Sequence, residues 1–103
     1  MNTQFKKGVL EIAVLHVLKL NDSYGYELVS NISKKIEITE GTLYTILKRF
    51  RDDKLVETYL KESTDGPTRK YYKLTKIGKE AYKHQYMEWK YFVHEMNDFL
   101  EIK

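Results

Sequence analysis

Residues 39–50 carry the segment Thr-Glu-Gly-Thr-Leu-Tyr-Thr-Ile-Leu-Lys-Arg-Phe, whose spacing predicts an amphipathic helix over residues 40–53. Thr39 is a favourable N-cap, and Glu40 lies in the first turn, where the helix dipole favours a negative charge. The predicted buried face recurs with helical spacing and consists of Leu43, Ile46, Leu47 and Phe50. The opposite face is small and hydroxyl-bearing at its start and basic in its middle. It consists of Gly41, Thr45 and Lys48, flanked by Thr42, Tyr44 and Arg49.

A nearly continuous apolar helix is predicted upstream, over residues 7–20. Only three polar residues interrupt it: Glu11, His16 and Lys19. A helix that is apolar on almost every side must be covered from more than one direction. It is therefore either a central core helix or a core helix whose second face contacts another subunit.

Between these two segments, a shorter helix is predicted over residues 24–36, with Asp22 or Ser23 as its cap. Its buried stripe has helical spacing and consists of Gly25, Leu28, Val29, Ile32 and Ile36. The second and third helices together predict a helix-turn-helix pair.

Two short strands are predicted after the third helix, over residues 55–60 and 69–74. The segment 63–68 between them is a turn cluster that contains the only proline. Three helices followed by a β-hairpin is the order of a winged helix-turn-helix. The predicted fold is thus mainly α with a small β-hairpin, and residues 1–75 are expected to form a DNA-binding domain.

The distribution of charge supports DNA as the partner. Residues 48–79 hold ten basic and five acidic side chains, whereas the rest of the 103-residue chain holds eight and ten. A recognition helix enters the major groove with its N-terminal residues near base edges, while cations gain from phosphate neutralisation. The small-then-basic face of the third helix suits this role, and Arg69 and Lys70 would contact the backbone or the minor groove. A winged helix that binds only proteins is the alternative, but its interface would be apolar rather than basic.

A single long helix is predicted over residues 75–102, which would be about 42 Å long. Its apolar stripe exceeds what so small a domain covers by itself, so residues 76–103 are expected to form a dimerisation helix. The homodimer interface is predicted to include Val9, Ile12, Trp89, Phe92, Val93, Met96, Phe99 and Leu100. A dimer also suits a pseudo-palindromic operator in double-stranded DNA.

Several classes of function are disfavoured by composition. The chain has no cysteine, and its three histidines lack metal-ligand spacing, so no metal or other cofactor is expected. No nucleophile-elbow, phosphate-loop or dinucleotide-binding motif occurs, which argues against an enzyme. The absence of a spanning apolar run and of a signal peptide predicts a cytoplasmic protein without a membrane partner.

Four sequence blocks resemble the PadR family of bacterial transcriptional regulators. They are Tyr-Gly-Tyr-Glu-Leu at 24–28, Glu-Gly-Thr-Leu-Tyr at 40–44, Leu-Lys-Arg at 47–49 and Gly-Pro-Thr-Arg-Lys-Tyr-Tyr-Lys-Leu-Thr at 66–75. Their order and separation match across essentially the whole chain. The resemblance implies a winged-helix dimer that usually represses its promoter. The predicted DNA-contacting set comprises Tyr24, Thr39, Gly41, Thr42, Tyr44, Thr45, Lys48, Arg49, Gly66, Arg69, Lys70 and Tyr72.

A single C-terminal helix makes the chain similar to the short, multidrug-responsive members of this family. In those members, flat aromatic compounds stack between two tryptophans at the dimer interface, and Trp89 matches that position. The resemblance implies a ligand site formed by Trp89, Phe5, Gly8, Ile12, Gln85 and Val93. Val93 and His94 stand where those relatives have an acidic and a basic residue, and Lys54 stands where a glycine often precedes the wing. Trp89 is either a ligand-stacking residue or an ordinary aromatic of the dimer core, in which case the regulator has no small-molecule effector.

Overall fold

A computed structural model describes the backbone of residues 3–103 and the side chains from residue 8 onward. Seven elements follow one another along this part of the chain: α1 (Thr3–Leu20), β1 (Ser23–Tyr24), α2 (Gly25–Ser33), α3 (Glu40–Asp52), β2 (Val56–Ser63), β3 (Gly66–Leu74) and α4 (Lys76–Phe99). The mainly α winged helix-turn-helix with a long C-terminal helix is thereby confirmed. We call β2, β3 and the turn between them the wing.

The sheet has three strands rather than the two of the predicted hairpin. β3 lies in the middle and pairs antiparallel with both β1 and β2. The additional strand, β1, contains only two residues, Ser23 and Tyr24, which pair with Tyr72 and Tyr71. The prediction that Asp22 or Ser23 caps α2 is wrong, because Tyr24 occupies the N-cap and its backbone N–H donates to Glu27 Oε1 at 3.2 Å.

One hydrophobic core joins the four helices to strands β2 and β3. Buried side chains of α1, α2 and α3 meet those of the sheet: Leu10, Val14, Leu15, Leu18, Leu28, Ile32, Leu43, Ile46, Leu47, Phe50, Val56, Tyr72 and Leu74. α3 buries the whole stripe that its spacing predicts, so burial of the apolar surface holds α3 by its inner face. The face of α3 with Gly41, Thr45 and Lys48 is left exposed.

The end of α3 is shaped by a residue in the left-handed region. Lys54 has a φ of 62°. The backbone N–H of Lys54 donates to the carbonyl of Arg51, and that of Leu55 donates to the carbonyl of Phe50. This pair of bonds is a Schellman motif, which commonly has glycine at the left-handed position. Lys54 thus occupies a backbone position that favours glycine.

The start of α4 is attached to this same corner. Thr75 caps α4 by accepting from Gly78 N at 3.0 Å, and its hydroxyl donates to the carbonyl of Lys54 at 2.6 Å. Gly78 is buried against Leu55, where an added Cβ would lie 2.0 Å from the Leu55 carbonyl oxygen. Gly78 and Tyr82 are the buried residues of α4, whereas Ile77 beside Gly78 is exposed.

The distal half of α4 projects away from the core. Trp89, Phe92, Phe99 and Leu100 are all exposed, and Phe99 retains 80% of its accessible surface. The helix ends in a second Schellman motif, in which Glu101 has a φ of 60°. None of the helices within residues 3–103 combines the length and the apolar composition needed to cross a membrane.

Candidate nucleic-acid interface

The outward face of α3 begins with a group of hydroxyl side chains. Thr39 caps the helix by accepting from the backbone N–H of Thr42 at 3.2 Å, and its hydroxyl also donates to Thr42 Oγ1 at 3.0 Å. One turn later, the Thr45 hydroxyl donates to the carbonyl of Gly41 at 2.9 Å. Gly41 has no atom of another element within 4 Å of where a Cβ would lie. The first turn of α3 therefore presents a surface of short, polar side chains that a DNA base edge can approach closely.

Lys48 extends this face by one turn and carries a loosely held charge. Its Nζ lies 3.3 Å from Asp52 Oδ2, but the two side chains are 81% and 64% exposed. A surface pair of this kind contributes little to stability. Lys48 can therefore exchange Asp52 for a phosphate at small cost.

Arg49, which was predicted to contact DNA, lies on the flank of α3 that faces α1. Its guanidinium forms an ion pair with Glu11, and the Arg49 and Glu11 side chains are 42% and 20% exposed. Its Cζ also lies 5.6 Å from the centre of the Phe50 ring. The sequence did not indicate Glu11, because the partners are 38 positions apart on different helices.

Tyr24 and Arg69 join the start of α2 to the wing. Arg69 Nη1 donates to Tyr24 Oη at 3.0 Å, and the guanidinium carbon lies 4.6 Å from the centre of the Tyr24 ring. Lys70 follows on the wing with its side chain exposed, and Gly66 is exposed at the wing tip. The structure thus brings Tyr24 and Arg69 together and leaves Lys70 and Gly66 accessible.

A row of tyrosines continues from Tyr24 across the sheet. Tyr71 lies edge-on to Tyr24, with ring centres 5.5 Å apart, and stacks on Tyr59 at 5.6 Å. The Tyr59 hydroxyl donates to Asp22 Oδ2 at 2.8 Å, and this hydrogen bond is the main cause of a raised pKa for Tyr59. Tyr71 and Tyr59 were absent from the predicted contacts, although the alternation of a strand places Tyr71 on the side opposite Tyr72.

Tyr72, which was predicted to contact DNA, is buried. Only 7% of it is exposed, because it points from the middle strand into the core. Burial is the first cause of the raised pKa of Tyr72, and the nearby Tyr44 raises this pKa further, whereas the charge of Arg51 lowers it. The sequence prediction for Tyr72 is therefore wrong, because one of two adjacent strand residues must face inward.

Tyr44 lies across from the first residue of α2. Its side chain is exposed, yet a Cβ added at Gly25 would lie 2.2 Å from Tyr44 Oη and 2.7 Å from its Cζ. Gly25 thus leaves the space in which the Tyr44 ring end rests. Through this contact, Tyr44 lies between the two helices of the helix-turn-helix pair.

A separate apolar groove of about 530 Å³ lies between α1 and α4. Its lining includes four residues of the predicted ligand set, Gly8, Ile12, Gln85 and Trp89, together with Val9, Glu88 and Phe92. Val93 does not line this groove, and the side chain of Phe5 lies outside the described residues. Trp89 is 41% exposed and its ring centre lies 6.4 Å from that of Phe92.

A second groove, of about 720 Å³, lies between α1 and α3 and was not predicted. Its floor is apolar and includes Leu10, Ile38 and Ile46, while the Glu11–Arg49 pair lies at its side. Across residues 8–103, no cluster of three or more His, Cys, Asp or Glu side chains is placed to hold a metal ion.

Comparisons with known proteins agree with this geometry. The sequence profile of the transcriptional regulator PadR-like family matches residues 14–84. A PadR-like transcriptional regulator from Bacillus cereus is 35% identical and superposes with a TM-score of 0.89, covering 98% of this chain and 100% of its own. A PadR family transcription regulator from Clostridium difficile is 34% identical, with a TM-score of 0.82, and covers 88% of this chain and 97% of its own. A protein from Lysinibacillus sphaericus is 33% identical over 87 residues, which are 81% of this chain and 80% of its own length.

The profile spans more than half of the chain, and the solved relatives share its fold from α1 to α4. These relatives are transcription regulators and not enzymes, in agreement with the absence of catalytic motifs from the sequence. With its exposed α3 face and cationic wing, the chain is a DNA-binding winged-helix protein that belongs to the PadR-like family of transcriptional regulators.

Proposed function

We propose that the protein is a cytoplasmic, dimeric repressor that binds a pseudo-palindromic operator in double-stranded DNA. In each protomer, α3 lies in the major groove and the wing contacts the backbone or the minor groove. The observation that carries this proposal is the accessibility of the polar start of α3 and of Lys48, together with the wing cations Arg69 and Lys70. Of the contacts predicted from the sequence, we retain all except the buried Tyr72 and the Glu11-paired Arg49, namely Tyr24, Thr39, Gly41, Thr42, Tyr44, Thr45, Lys48, Gly66, Arg69 and Lys70.

The different surfaces presented by residues 1–75 and residues 76–103 support the dimer. Residues 1–75 contain the DNA-binding elements, whereas residues 76–103 contain an exposed aromatic stripe. The stripe includes Trp89, Phe92, Phe99 and Leu100, whose burial on a second copy would remove several hundred Å² of apolar surface from water. At ~25 cal/mol per Å², that burial offsets an association cost of roughly 4–15 kcal/mol. We assign the interface to α1 and α4, with Val9, Ile12, Val93 and Met96 beside the stripe.

The operator is identified by selecting bound fragments from the source genome, and the recovered duplex then serves as the probe. Arg69→Ala with Lys70→Ala should weaken binding to this duplex and make the slope of log K against log[salt] shallower by about 0.9 for each lost phosphate contact. Lys34→Ala with Lys35→Ala is the matched control, since it removes two exposed cations at the far end of α2. Equal losses in the two double variants would contradict the assignment of the wing.

We also propose that a planar aromatic ligand binds the groove between α1 and α4 and releases the repressor. The support is the apolar lining of this groove and the exposure of Trp89 within it. The position of Trp89 equally suits an aromatic residue of the dimer core in a regulator without an effector. A winged helix that binds only proteins is the less favoured alternative, because the wing and α3 present cations.

Fluorescence distinguishes the two roles of Trp89, which is the only tryptophan. Stacking of a planar aromatic dye on its ring should quench its emission and lower operator affinity. Measured by the emission of the dye itself, Trp89→Ala should abolish dye binding, whereas Tyr91→Ala, which removes an exposed aromatic outside the groove, should leave it unchanged. If Trp89→Ala only weakens the dimer and no dye binds the wild-type protein, the dimer-core role holds.

A further inference from the structure

Arg49 and Glu11 form an ion pair between two helices. Arg49 is on α3, Glu11 is on α1, and Arg49 Nη2 pairs with Glu11 Oε1. The carboxylate is mostly shielded, with 20% of its side chain exposed, and the arginine is partly covered. The guanidinium carbon also lies 5.6 Å from the Phe50 ring, whose residue is a fully buried part of the core. Arg49 is therefore held on two sides by protein.

Lys48, the preceding residue, differs from Arg49 in the location of its partner and in its exposure to solvent. Its partner Asp52 is on the same helix one turn away, and both side chains extend into solvent. The Lys48–Asp52 pair ties α3 only to itself, whereas the Arg49–Glu11 pair ties it to another helix. Partly shielded charges are screened less by salt than exposed ones. The two neighbouring cations thus have different surroundings.

The location of Glu11 connects two parts of the molecule. Leu10, before it, is buried in the core, and Ile12, after it, lines the groove that contains Trp89. Glu11 itself lies at the side of the groove between α1 and α3, together with Arg49. The pair therefore fixes one flank of α3 to α1, the helix that also packs against α4.

We propose that Glu11 is a positioning residue for DNA recognition and that it acts through Arg49. The ion pair holds α3 at the angle at which Gly41, Thr45 and Lys48 meet the duplex together. In this arrangement Arg49 is an anchor of the recognition helix and not a phosphate contact, which revises its assignment from the sequence. Its charge is already neutralised by Glu11, so it releases no counterion from DNA.

The slope of log K against log[salt] separates an anchor from a phosphate contact. Arg49→Gln and Glu11→Gln should each weaken binding to the selected operator duplex about tenfold, which corresponds to about 1.4 kcal/mol. Arg49→Gln should leave the salt slope unchanged. Lys48→Gln is the matched control on the same helix and should make the slope shallower by about 0.9.

The exchanged pair, Glu11→Arg with Arg49→Glu, supplies the second measurement. If the pair positions α3, the exchange restores affinity relative to the single variants, because the two charges still meet. If Arg49 contacts phosphate, the exchange places a carboxylate against DNA and weakens binding further. The exchange keeps the ion pair, so it also decides the question if a single variant fails to fold by circular dichroism. A shallower slope for Arg49→Gln, or an unchanged affinity for Glu11→Gln, overturns the proposal.

Discussion

Arg69 contacts Tyr24 in two ways: its Nη1 donates to the phenol oxygen at 3.0 Å, and its guanidinium carbon lies 4.6 Å from the ring centre. Tyr24 is paired with Tyr71 in the sheet and is also the N-cap of α2. The wing arginine is therefore fixed to the helix-turn-helix pair and does not move freely in solvent. This contact ties the wing to the start of α2.

Substitutions at Tyr24 should weaken DNA binding in two steps. Tyr24→Phe removes the hydrogen bond but keeps the ring, and Tyr24→Leu removes both contacts. We expect a loss of severalfold for the first and a larger loss for the second, since an exposed cation–π contact contributes about 0.5–1 kcal/mol. In a double-mutant cycle with Arg69→Ala, measured by operator affinity, the effects should be less than additive. Strict additivity would show that Tyr24 acts independently of Arg69.

Two glycine substitutions should separate folding from DNA binding. Gly78→Ala places a Cβ 2.0 Å from the Leu55 carbonyl oxygen, so we expect destabilisation of about 3 kcal/mol, measured by urea unfolding.

Gly41→Ala meets no neighbour and should be neutral or stabilising by up to ~1 kcal/mol, because alanine favours a helix. The same Gly41→Ala variant should lose operator affinity, since the added methyl group lies on the surface that approaches the bases. Unchanged affinity would remove Gly41 from the interface.

Lys54→Gly should stabilise the protein. The φ of 62° costs a non-glycine residue about 1–2 kcal/mol, of which the greater flexibility of glycine in the unfolded chain offsets about 0.5–1 kcal/mol. We expect a net gain of about 0.5–1 kcal/mol and a higher Tm. Lys54→Ala is the control, because it removes the same side chain and retains the strained backbone. A gain in Lys54→Ala as large as that in Lys54→Gly would assign the effect to the side chain.

Alkaline pH should destabilise the fold through buried tyrosines. Burial raises the pKa of Tyr72 above its ordinary value of 10.0, so the folded state holds the phenol proton more tightly than the unfolded state. The resulting stability is complete below pH 10.0 and is lost as the pH rises through the folded pKa. Urea unfolding across this range should show a falling free energy of unfolding. Tyr72→Phe should show a weaker dependence, whereas Tyr26→Phe, at an exposed site, should follow the wild-type protein.

Helices α1 to α4 could be predicted from the sequence because their apolar residues recur at helical spacing. Thr39 was confirmed as the cap of α3, since a threonine before an acidic first turn suffices to identify it. Strand β1 could not be predicted, because its two residues become a strand only through pairing with Tyr71 and Tyr72. The predicted end of α2 at residue 36 was three residues too late, as Ile36 packs against the core from outside the helix.

The candidate site was predictable where function depends on one helix face and not where it depends on partners distant in sequence. Gly41, Thr45 and Lys48 are exposed together because a single periodicity orients them. The surroundings of Arg49 depend instead on Glu11, and the burial of Tyr72 depends on the packing of β3. Neither can be read from a local sequence pattern. Four of the six predicted ligand residues line one groove, because α1 and α4 pack side by side.

The contact between Gly25 and Tyr44 has a consequence for the evolution of this sequence. The phenol end of Tyr44 occupies the volume that any side chain at residue 25 would need. Replacement of Gly25 by a larger residue therefore requires the tyrosine to turn away or to be lost in the same lineage. The two positions, 19 residues apart, should covary among homologues, with larger residues at 25 accompanying smaller ones at 44.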